Sequence, residues 1–383
     1  MSKRIGIVVR VLWPGGIQRF VFHQAQELAK NGFLVDLIFI RDSGRSVPYK
    51  NLYKFDITFS KDSYKRLLFR VFWLITSHYG SERGPDATID LDLIAKFEFK
   101  RERYDLIVYY DQLSALAWPL GRIIHGDKYA VFIHESFFKF QSPIMRFIEK
   151  FAQVGAIALF TNSIINKKLI EKSGSSKVFL CEPGFEIVEG IPIFENRENI
   201  ILSVTMWDKG RKPEIFIDIA KNVSDGFIIL AGNWTDKNYM NEFIEKIKTM
   251  KLTEKIKVTG PISEYELVNY YKHAKVFIRF GFNENGPGMG SLEAISYGIP
   301  LIYNESLGLP TYVKNRDNGF MINPFDVNEI THCVKILLND VDIWKAISSN
   351  NLKLSKEHSW NNQGKKFSIL INDILNLNSQ NFT

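Results

Sequence analysis

Short, continuously apolar runs rich in β-branched and aromatic residues recur along the chain, and amphipathic stretches separate them. Such runs are typical of parallel strands buried on both faces, and the stretches between them predict helices. The predicted strands of the first half cover residues 5–11, 35–40, 105–110 and 129–133, and those of the second half cover residues 200–204, 226–231, 256–258 and 276–280. This alternation predicts an α/β protein with doubly wound parallel sheets.

A polar stretch over residues 189–199 separates the two halves, and the alternation of strands and helices restarts after it. The chain has 383 residues, enough for two or three domains that each bury a core of their own. We therefore predict a first domain over residues 1–187, a second over residues 188–360, and a closing helix and tail over residues 361–383.

The net charge of +7, from 49 basic and 42 acidic residues, is a mild excess with no basic cluster. A nucleic-acid-binding protein usually concentrates such charge, so phosphate-bearing small molecules or an anionic membrane surface are better candidate ligands. Cys181 and Cys333 offer neither a disulfide framework nor a metal cluster, which favours a reducing compartment and a role as buried apolar residues. The first apolar run ends at Pro14-Gly15-Gly16 and not at a cleavage site, and no run is long enough to span a membrane. These features favour a cytoplasmic protein.

The most informative stretch covers residues 274–303 and predicts a strand, a glycine-rich loop, a helix and a further strand. Gly286, Gly288 and Gly290 allow a sharp turn and a close approach to a ligand, and Ser291 is predicted to begin the helix. A helix N-terminus that follows such a loop favours a phosphate. In the alternative interpretation, the glycines only make a tight connection.

Glu293 is predicted to lie in the first turn of this helix, where it would accept hydrogen bonds from ribose hydroxyls or simply complement the helix dipole. His134 directly follows a predicted strand and is expected at the edge of the sheet where ligands bind, unless it is only structural. Arg211 and Lys212 lie between a predicted strand and a predicted helix. They are either cations that bind phosphate or solvated loop charges.

Several of these motifs together resemble the retaining glycosyltransferases of family 4, the glycosyl transferases group 1, which have the GT-B fold. The resemblance is carried by Leu292-Glu293-Ala294 through Gly298-Ile299-Pro300, by the GGIQR loop, by VFIHES, and by the closing Ser359-Trp360. It implies two Rossmann-like domains that face each other across a cleft, and a C-terminal helix that crosses back to the first domain.

The resemblance also implies a role for each matching residue. It implies catalytic roles for His134, Lys212 and Glu284. It implies contacts with a nucleoside-diphosphate-sugar donor for Gly15, Gly16, Arg211, Lys212, Gly260, Asn285, Gly288, Met289, Gly290, Ser291 and Glu293. It implies contacts with a glycan, lipid-linked or protein-linked acceptor for Gln18 and Arg19.

This chain departs from the family pattern at three positions. Met206 stands where the family has a diphosphate-binding Arg, and Thr311 stands where it has a Glu after Leu-Pro. The glycine-rich loop carries one extra residue, so that either Glu284 or Asn285 fills the position of the first signature Glu. These departures favour one alternative, a non-catalytic relative that binds nucleotide sugars or glycans. A GT-B epimerase or hydrolase is a further alternative, which would need a set of carboxylates or histidines that the sequence does not single out.

No Asp-x-Asp motif accompanies the phosphate-binding residues, so we expect neither a metal ion nor another cofactor. Residues 62–75 combine basic and large apolar side chains. They predict either a helix at the inner membrane surface or a helix packed on its own domain.

Overall fold

A computed structural model describes residues 2–12, 15–42, 57–60, 104–110, 129–134, 153–175, 177–282 and 285–380. The chain divides into two compact units. The first unit contains Met1–Pro183 and Trp360–Thr383, and the second contains Gly184–Ser359.

The described strands of the first unit form one parallel sheet in the order β3-β2-β1-β4-β5-β6-β7. They are β1 (Arg4–Leu12), β2 (Leu34–Asp42), β3 (Ile57–Ser60), β4 (Leu106–Tyr110), β5 (Tyr129–Ile133), β6 (Ala158–Thr161) and β7 (Val178–Leu180). Two described helices of this unit are α1 (Gly16–Lys30) and α2 (Ile164–Lys172). Every residue of β4, β5 and β6 is buried, as expected for central parallel strands.

The second unit contains a parallel sheet in the order β10-β9-β8-β11-β12-β13. Its strands are β8 (Glu198–Val204), β9 (Phe227–Ala231), β10 (Ile256–Gly260), β11 (Ala274–Arg279), β12 (Leu301–Tyr303) and β13 (Gly319–Met321). Its helices are α3 (Glu214–Asn222), α4 (Lys237–Thr249), α5 (Glu264–His273), α6 (Met289–Ser296), α7 (Val327–Asn339) and α8 (Val341–Glu357). The predicted doubly wound α/β architecture is confirmed, and the predicted strands agree with these ranges to within two residues at either end.

The last helix, α9 (Trp360–Gln380), belongs to the first unit and packs on α1. The Trp360 ring stacks on His23 with a centroid distance of 4.4 Å, and burial lowers the pKa of His23 to about 3, so that this imidazole is neutral. A Cβ atom added to Gly364 would lie 2.2 Å from the Cβ of Glu27. Only glycine therefore allows the two helices to approach this closely.

Residues 62–75 lie outside the described residues, so the two interpretations of that segment stay predictions. None of the described helices is both long enough and apolar enough to cross a membrane.

Candidate functional site

The second sheet reverses its strand order at β8, which has β9 on one side and β11 on the other. Ligands of open parallel sheets bind outside the carboxyl ends of the strands at such a switch point. The loop after β8 begins at Thr205, and the loop after β11 begins at Phe280. These two loops contain the predicted cations and the predicted glycine-rich turn, respectively.

The loop after β8 is fixed to the loop after β9. The Trp207 amide donates to the Asn233 carbonyl at 2.7 Å, and the Thr235 amide donates to the Trp207 carbonyl at 3.0 Å. The buried Trp207 ring stacks on Trp234 with a centroid distance of 5.9 Å, and its Nε1 donates to the Ala231 carbonyl at 3.1 Å. These contacts fix the backbone of the loop after β8 against the loop after β9.

The two predicted cations of this loop lie in different environments. Residues Lys209–Arg211 form a 3₁₀ turn in which the Asp208 carboxylate accepts from the Arg211 amide at 3.0 Å. The Arg211 guanidinium donates to the Thr205 hydroxyl, and its Nε lies 3.7 Å from Asp208 Oδ2. Lys212 is exposed, has a left-handed backbone with φ 48°, and forms no ion pair with the carboxylates that the structure describes. Of Arg211 and Lys212, Lys212 is therefore the one whose charge no described carboxylate neutralises.

The loop after β11 is held against the end of β12. The Gly281 amide donates to Asn304 Oδ1 at 2.7 Å, and Asn304 Nδ2 donates to the Gly281 carbonyl at 2.9 Å. A Cβ atom on Gly281 would lie 2.6 Å from the Ser306 carbonyl oxygen and from the Leu307 nitrogen. A glycine is therefore required where the glycine-rich loop begins.

The helix that follows the loop is α6, and it begins at Met289, so the prediction that Ser291 begins it is wrong. Gly288 takes the N-cap position because its left-handed backbone, with φ 63°, turns the chain into the helix two residues earlier. A Cβ atom on Gly290 would lie 2.9 Å from the Val204 carbonyl oxygen, so this glycine lets the first turn of α6 press against the end of β8.

The first turn of α6 has the features of an anion-binding site. The first amides of a helix have no partner within it, and the helix dipole is positive there. Ser291 is 1% exposed, and its hydroxyl has no hydrogen-bond partner among the described residues. That hydroxyl lies 3.7 Å from the position that a Cβ atom on Gly288 would occupy, directly beside the N-cap. The helix start therefore offers both backbone and side-chain donors to an anion.

Glu293 lies outside the first turn, since the helix begins earlier than predicted, and that expectation is wrong. Its Oε2 accepts a hydrogen bond from the Tyr271 hydroxyl at 2.7 Å, and the same hydroxyl lies 3.3 Å from the Gly290 carbonyl. The carboxylate is half-buried, and Tyr271 at the end of α5 fixes its orientation.

A further cation of this site is Arg279, which lies within the predicted strand of residues 276–280. It is the last residue of β11 and is 5% exposed, and its guanidinium donates to the Phe280 carbonyl. Its Nε lies 3.8 Å from the position that a Cβ atom on Gly288 would occupy. A buried guanidinium therefore lies beside the N-cap of α6. An arginine at the carboxyl end of a parallel strand was the signal that could have identified it.

Of the two residues that could fill the position of the first signature Glu, the structure describes only Asn285. Glu284 lies outside the described residues, whereas Asn285 has a left-handed backbone with φ 54°. Gly260 ends β10 with φ 65°, and its carbonyl accepts from the Gly232 amide at 3.2 Å. Gly260 thus lies at the same carboxyl edge of the sheet as the two site loops.

The predicted site residues of the first unit lie at the carboxyl edge of its own sheet. His134 directly follows β5 and is 5% exposed. Its Nδ1 lies 3.2 Å from Asn162 Nδ2, and its ring stacks on Phe132 with a centroid distance of 4.3 Å. Phe20 of α1 packs edge-on against His134 at 4.7 Å. The structure therefore brings His134 against the helix that begins at the GGIQR loop.

That loop forms the start of α1. Gly15 is the N-cap residue, and its carbonyl accepts from the Arg19 amide at 3.1 Å. Gly16 is exposed, Arg19 is half-buried, and the Gln18 side chain is 5% exposed. Of these residues, Gly16 is the most exposed and Gln18 the least.

Both cysteines are buried free thiols, as the sequence analysis expected. Burial raises the pKa of each thiol above its usual range. In the described part of the chain, no three His, Cys, Asp or Glu side chains are grouped so that they could hold a metal ion.

Residues 188–364, a little under half of the chain, match the family described as glycosyl transferases group 1. Among curated proteins, O-antigen chain mannosyltransferase B of Escherichia coli is 32% identical over 108 residues, which are 28% of this chain and 27% of that protein. Probable sucrose-phosphate synthase 4 of Oryza sativa subsp. japonica is 28% identical over 132 residues, which are 30% of this chain and 12% of that protein. The chain thus matches only a minor part of the length of these relatives.

Similarity to solved structures extends over nearly the whole chain. Sucrose-phosphate synthase from Thermosynechococcus elongatus superposes with a TM-score of 0.75 at 16% identity, covering 98% of this chain and 100% of that one. HepE from Anabaena, in complex with UDP and glucose, superposes with a TM-score of 0.74 at 15% identity, covering 97% and 100%. At these identities the similarity establishes the fold, and the predicted GT-B fold is confirmed.

Proposed function

We propose that the protein is a glycosyltransferase that takes its sugar from a nucleoside-diphosphate-sugar donor bound by the second unit. The observation that carries the proposal is the position of Lys212 and the N-terminus of α6 on the two loops that flank the switch point of the second sheet. The match of residues 188–364 to the group 1 glycosyl transferases supports the same chemistry. A solved neighbour of the same fold is in complex with UDP and glucose.

The main task of the protein in this reaction is to stabilise the departing diphosphate. Its negative charge increases as the bond to the sugar breaks, and fixed donors aimed at that charge lower the barrier. Lys212 supplies a full positive charge from one side. The first amides of α6 and the buried Ser291 hydroxyl supply donors from the other. Arg279 adds a second cation beside the N-cap, and we assign it the role of the arginine that Met206 replaces.

We further propose that transfer occurs with retention of the anomeric configuration and that the first unit binds the acceptor. The acceptor hydroxyl would attack from the face that the diphosphate leaves, and a donor phosphate oxygen would take its proton. His134 would contact the donor sugar, and Gln18 with Arg19 would contact the acceptor. The relatives include O-antigen chain mannosyltransferase B and 2-deoxystreptamine N-acetyl-D-glucosaminyltransferase of Niallia circulans, which supports a hydroxyl of a glycan or a cyclitol as the acceptor group.

The two signature carboxylates should differ in the kinetic constant that they control. Glu293 would hold the ribose equally before and during transfer, so Glu293→Gln should raise the donor KM about tenfold or more with little change in kcat. Glu284→Gln should instead lower kcat about tenfold, because its full charge would stabilise an oxocarbenium ion only in the transition state. Steady-state kinetics of both variants, with the exposed Glu245→Gln as the control, would measure the two effects.

A reversed pattern would contradict these two roles. If Glu284→Gln is silent and Asn285→Ala is severely impaired, Asn285 occupies the position of the first signature Glu.

We expect turnover to need no divalent metal ion, because cationic side chains and a helix N-terminus are assigned to the diphosphate. The rate should therefore stay within about twofold when EDTA is added and when magnesium or manganese is then restored. Loss of turnover with EDTA, followed by recovery with either metal, would show that a metal ion performs part of the task assigned to Lys212 and α6.

The second candidate function is a non-catalytic protein that binds a nucleotide sugar. The observations that favour it are Met206 at the family's arginine position and Thr311 after Leu309-Pro310. Incubation with a panel of radiolabelled UDP-, GDP-, ADP- and dTDP-sugars, with and without mixed glycan and lipid-linked acceptors, separates the candidates. We expect labelled sugar to move to an acceptor. Binding without transfer would favour the second candidate, and release of free sugar would favour a hydrolase.

A further inference from the structure

Two phenylalanine rings lie against the side chain of Lys212. The Lys212 Nζ is 4.4 Å from the centroid of the Phe325 ring and 5.2 Å from that of the Phe282 ring. The two ring centroids are 6.0 Å apart, at an interplanar angle of 45°. Phe282 follows β11 and Phe325 follows β13, so three loops of the second unit meet at one ammonium group. Both distances fall within the range of cation–π attraction.

Phe325 takes no part in the core of the unit, since it is 60% exposed. Its backbone is nevertheless fixed, because its amide donates to Asn323 Oδ1 at 3.1 Å. The next residue, Asp326, caps α7 by accepting from the Glu329 amide at 2.9 Å. A large apolar ring that is exposed on a fixed backbone is expected to have a role other than core packing.

An aromatic ring holds an ammonium group differently from a carboxylate. Some exposed lysines elsewhere in this unit form ion pairs instead, such as Lys221 with Asp218 at 3.1 Å and Lys248 with Glu245 at 2.7 Å. A carboxylate would neutralise the charge of Lys212 and compete with a phosphate for its N–H donors. The faces of the two rings attract the cation through their quadrupole, leaving the net charge of +1 in place.

The backbone of Lys212 supports the same interpretation. Its φ of 48° and ψ of 58° are left-handed, a conformation that is unfavourable for a residue with a side chain. The residue after it is Pro213, which further restricts the residue before it. The 3₁₀ turn before Lys212 and the start of α3 after it hold this conformation in place. The backbone therefore holds Lys212 at a fixed place in the loop.

We propose that Phe325, together with Phe282, is a positioning residue for Lys212 that holds its ammonium group at the switch point without neutralising it. The inference rests on the proposed function, in which Lys212 binds the donor diphosphate. Phe325 acts through Lys212 and makes no contact with the donor in this proposal. Its effect should therefore depend on the presence of the lysine.

A double-mutant cycle tests this dependence. The affinities for UDP, GDP, ADP and dTDP are measured by calorimetry on the full chain, and the tightest ligand is kept. Phe325→Leu should weaken its binding about three- to fivefold, the scale of an exposed cation–π contact. Lys212→Met should weaken it about tenfold, and adding Phe325→Leu to Lys212→Met should change nothing more. Phe325→Tyr, which keeps the ring, should bind as the unmodified protein does.

Two control variants are available in the same unit. Tyr265→Leu removes an aromatic ring that is 84% exposed on α5, and Lys251→Met removes an exposed lysine whose φ of 57° matches that of Lys212. Both should bind the ligand normally. Melting temperatures that agree among all variants would show that the fold is intact.

The possible outcomes separate the proposal from the proposed function. Equal losses from Phe325→Leu in both backgrounds would mean that Phe325 contacts the ligand directly, and no loss would mean that it has no role, so either result overturns the proposal. An unchanged affinity in Lys212→Met would overturn both the assignment of Lys212 and this proposal. If none of the nucleoside diphosphates binds the unmodified protein, the proposed function itself fails.

Discussion

Replacing Lys212 with methionine is expected to lower kcat about 100-fold, the usual consequence of removing one fixed donor from a charge-developing oxygen. The variant keeps most of the length and apolar character of the side chain, and Lys212 is exposed, so folding should be preserved. The reason for the large effect is that the charge on the leaving diphosphate is greatest in the transition state. Nucleoside diphosphate release, measured at saturating donor and acceptor, would report kcat directly.

Lys251→Met is the matched control for this prediction. Lys251 is exposed and has a left-handed backbone like that of Lys212, but it follows α4 at the amino end of β10, away from the carboxyl edge. Its replacement should leave kcat within about twofold of the original value. A Lys212→Met variant that is as active as Lys251→Met would show that Lys212 is an ordinary solvated lysine.

Replacing Arg197 with methionine is expected to lower the free energy of unfolding of the second unit by about 3 kcal/mol or more. The Arg197 side chain is 5% exposed and donates to four backbone carbonyls, those of Pro192, Tyr271, Ala274 and Tyr297, at 2.6 to 3.1 Å. Burial lowers its pKa to about 10, so it remains charged at neutral pH. Methionine fills a similar volume but leaves these buried carbonyls without their donor.

Urea unfolding followed by tryptophan fluorescence would measure this loss, because the Arg197 guanidinium lies 5.1 Å from the centre of the Trp344 ring. Lys221→Met, which breaks an exposed ion pair with Asp218, should cost less than about 1 kcal/mol. Similar unfolding midpoints for the two variants would mean that the carbonyls around Arg197 find other partners. Since Tyr297 directly follows α6, the Arg197→Met variant should also bind the donor less tightly.

The strands could be predicted closely from the sequence because parallel strands buried on both faces must be apolar along their whole length. The strand at Tyr129–Ile133, for example, has the predicted bounds. The same regularity concealed Arg279, whose neighbours in β11 are apolar. The place of Arg279 at the end of the strand was the available signal, and its position beside the N-cap of α6 became evident only from the fold.

The start of α6 shows a second limit of sequence reasoning. Serine is a favoured N-cap residue, so the pattern pointed to Ser291, but a glycine can adopt a left-handed backbone and cap a helix without a side chain. Two residues further on, Gly290 packs against the end of β8, a contact that no local sequence pattern contains.

The other features of the site that the sequence did not predict are contacts between residues that are far apart in the chain. The hydrogen bond from Tyr271 to Glu293 joins two helices. The cation–π contact of Lys212 with Phe325 joins two loops that are more than 100 residues apart in the chain. The loops after β8 and β11 could be placed at the carboxyl edge from the predicted strands alone, whereas no strand was predicted before the loop that contains Phe325. Which side chains meet there depends on loop conformation, and short motifs do not determine it.

A crystal structure of the protein with a bound nucleoside diphosphate would test the donor site most directly. The proposed function predicts that the two phosphates lie between the Lys212 ammonium and the first turn of α6, with hydrogen bonds to the Met289 and Gly290 amides and to the Ser291 hydroxyl. The ribose hydroxyls should lie within hydrogen-bonding distance of the Glu293 carboxylate. Phosphates bound elsewhere on the second unit, or bound with Lys212 still more than about 6 Å from every phosphate oxygen, would contradict it.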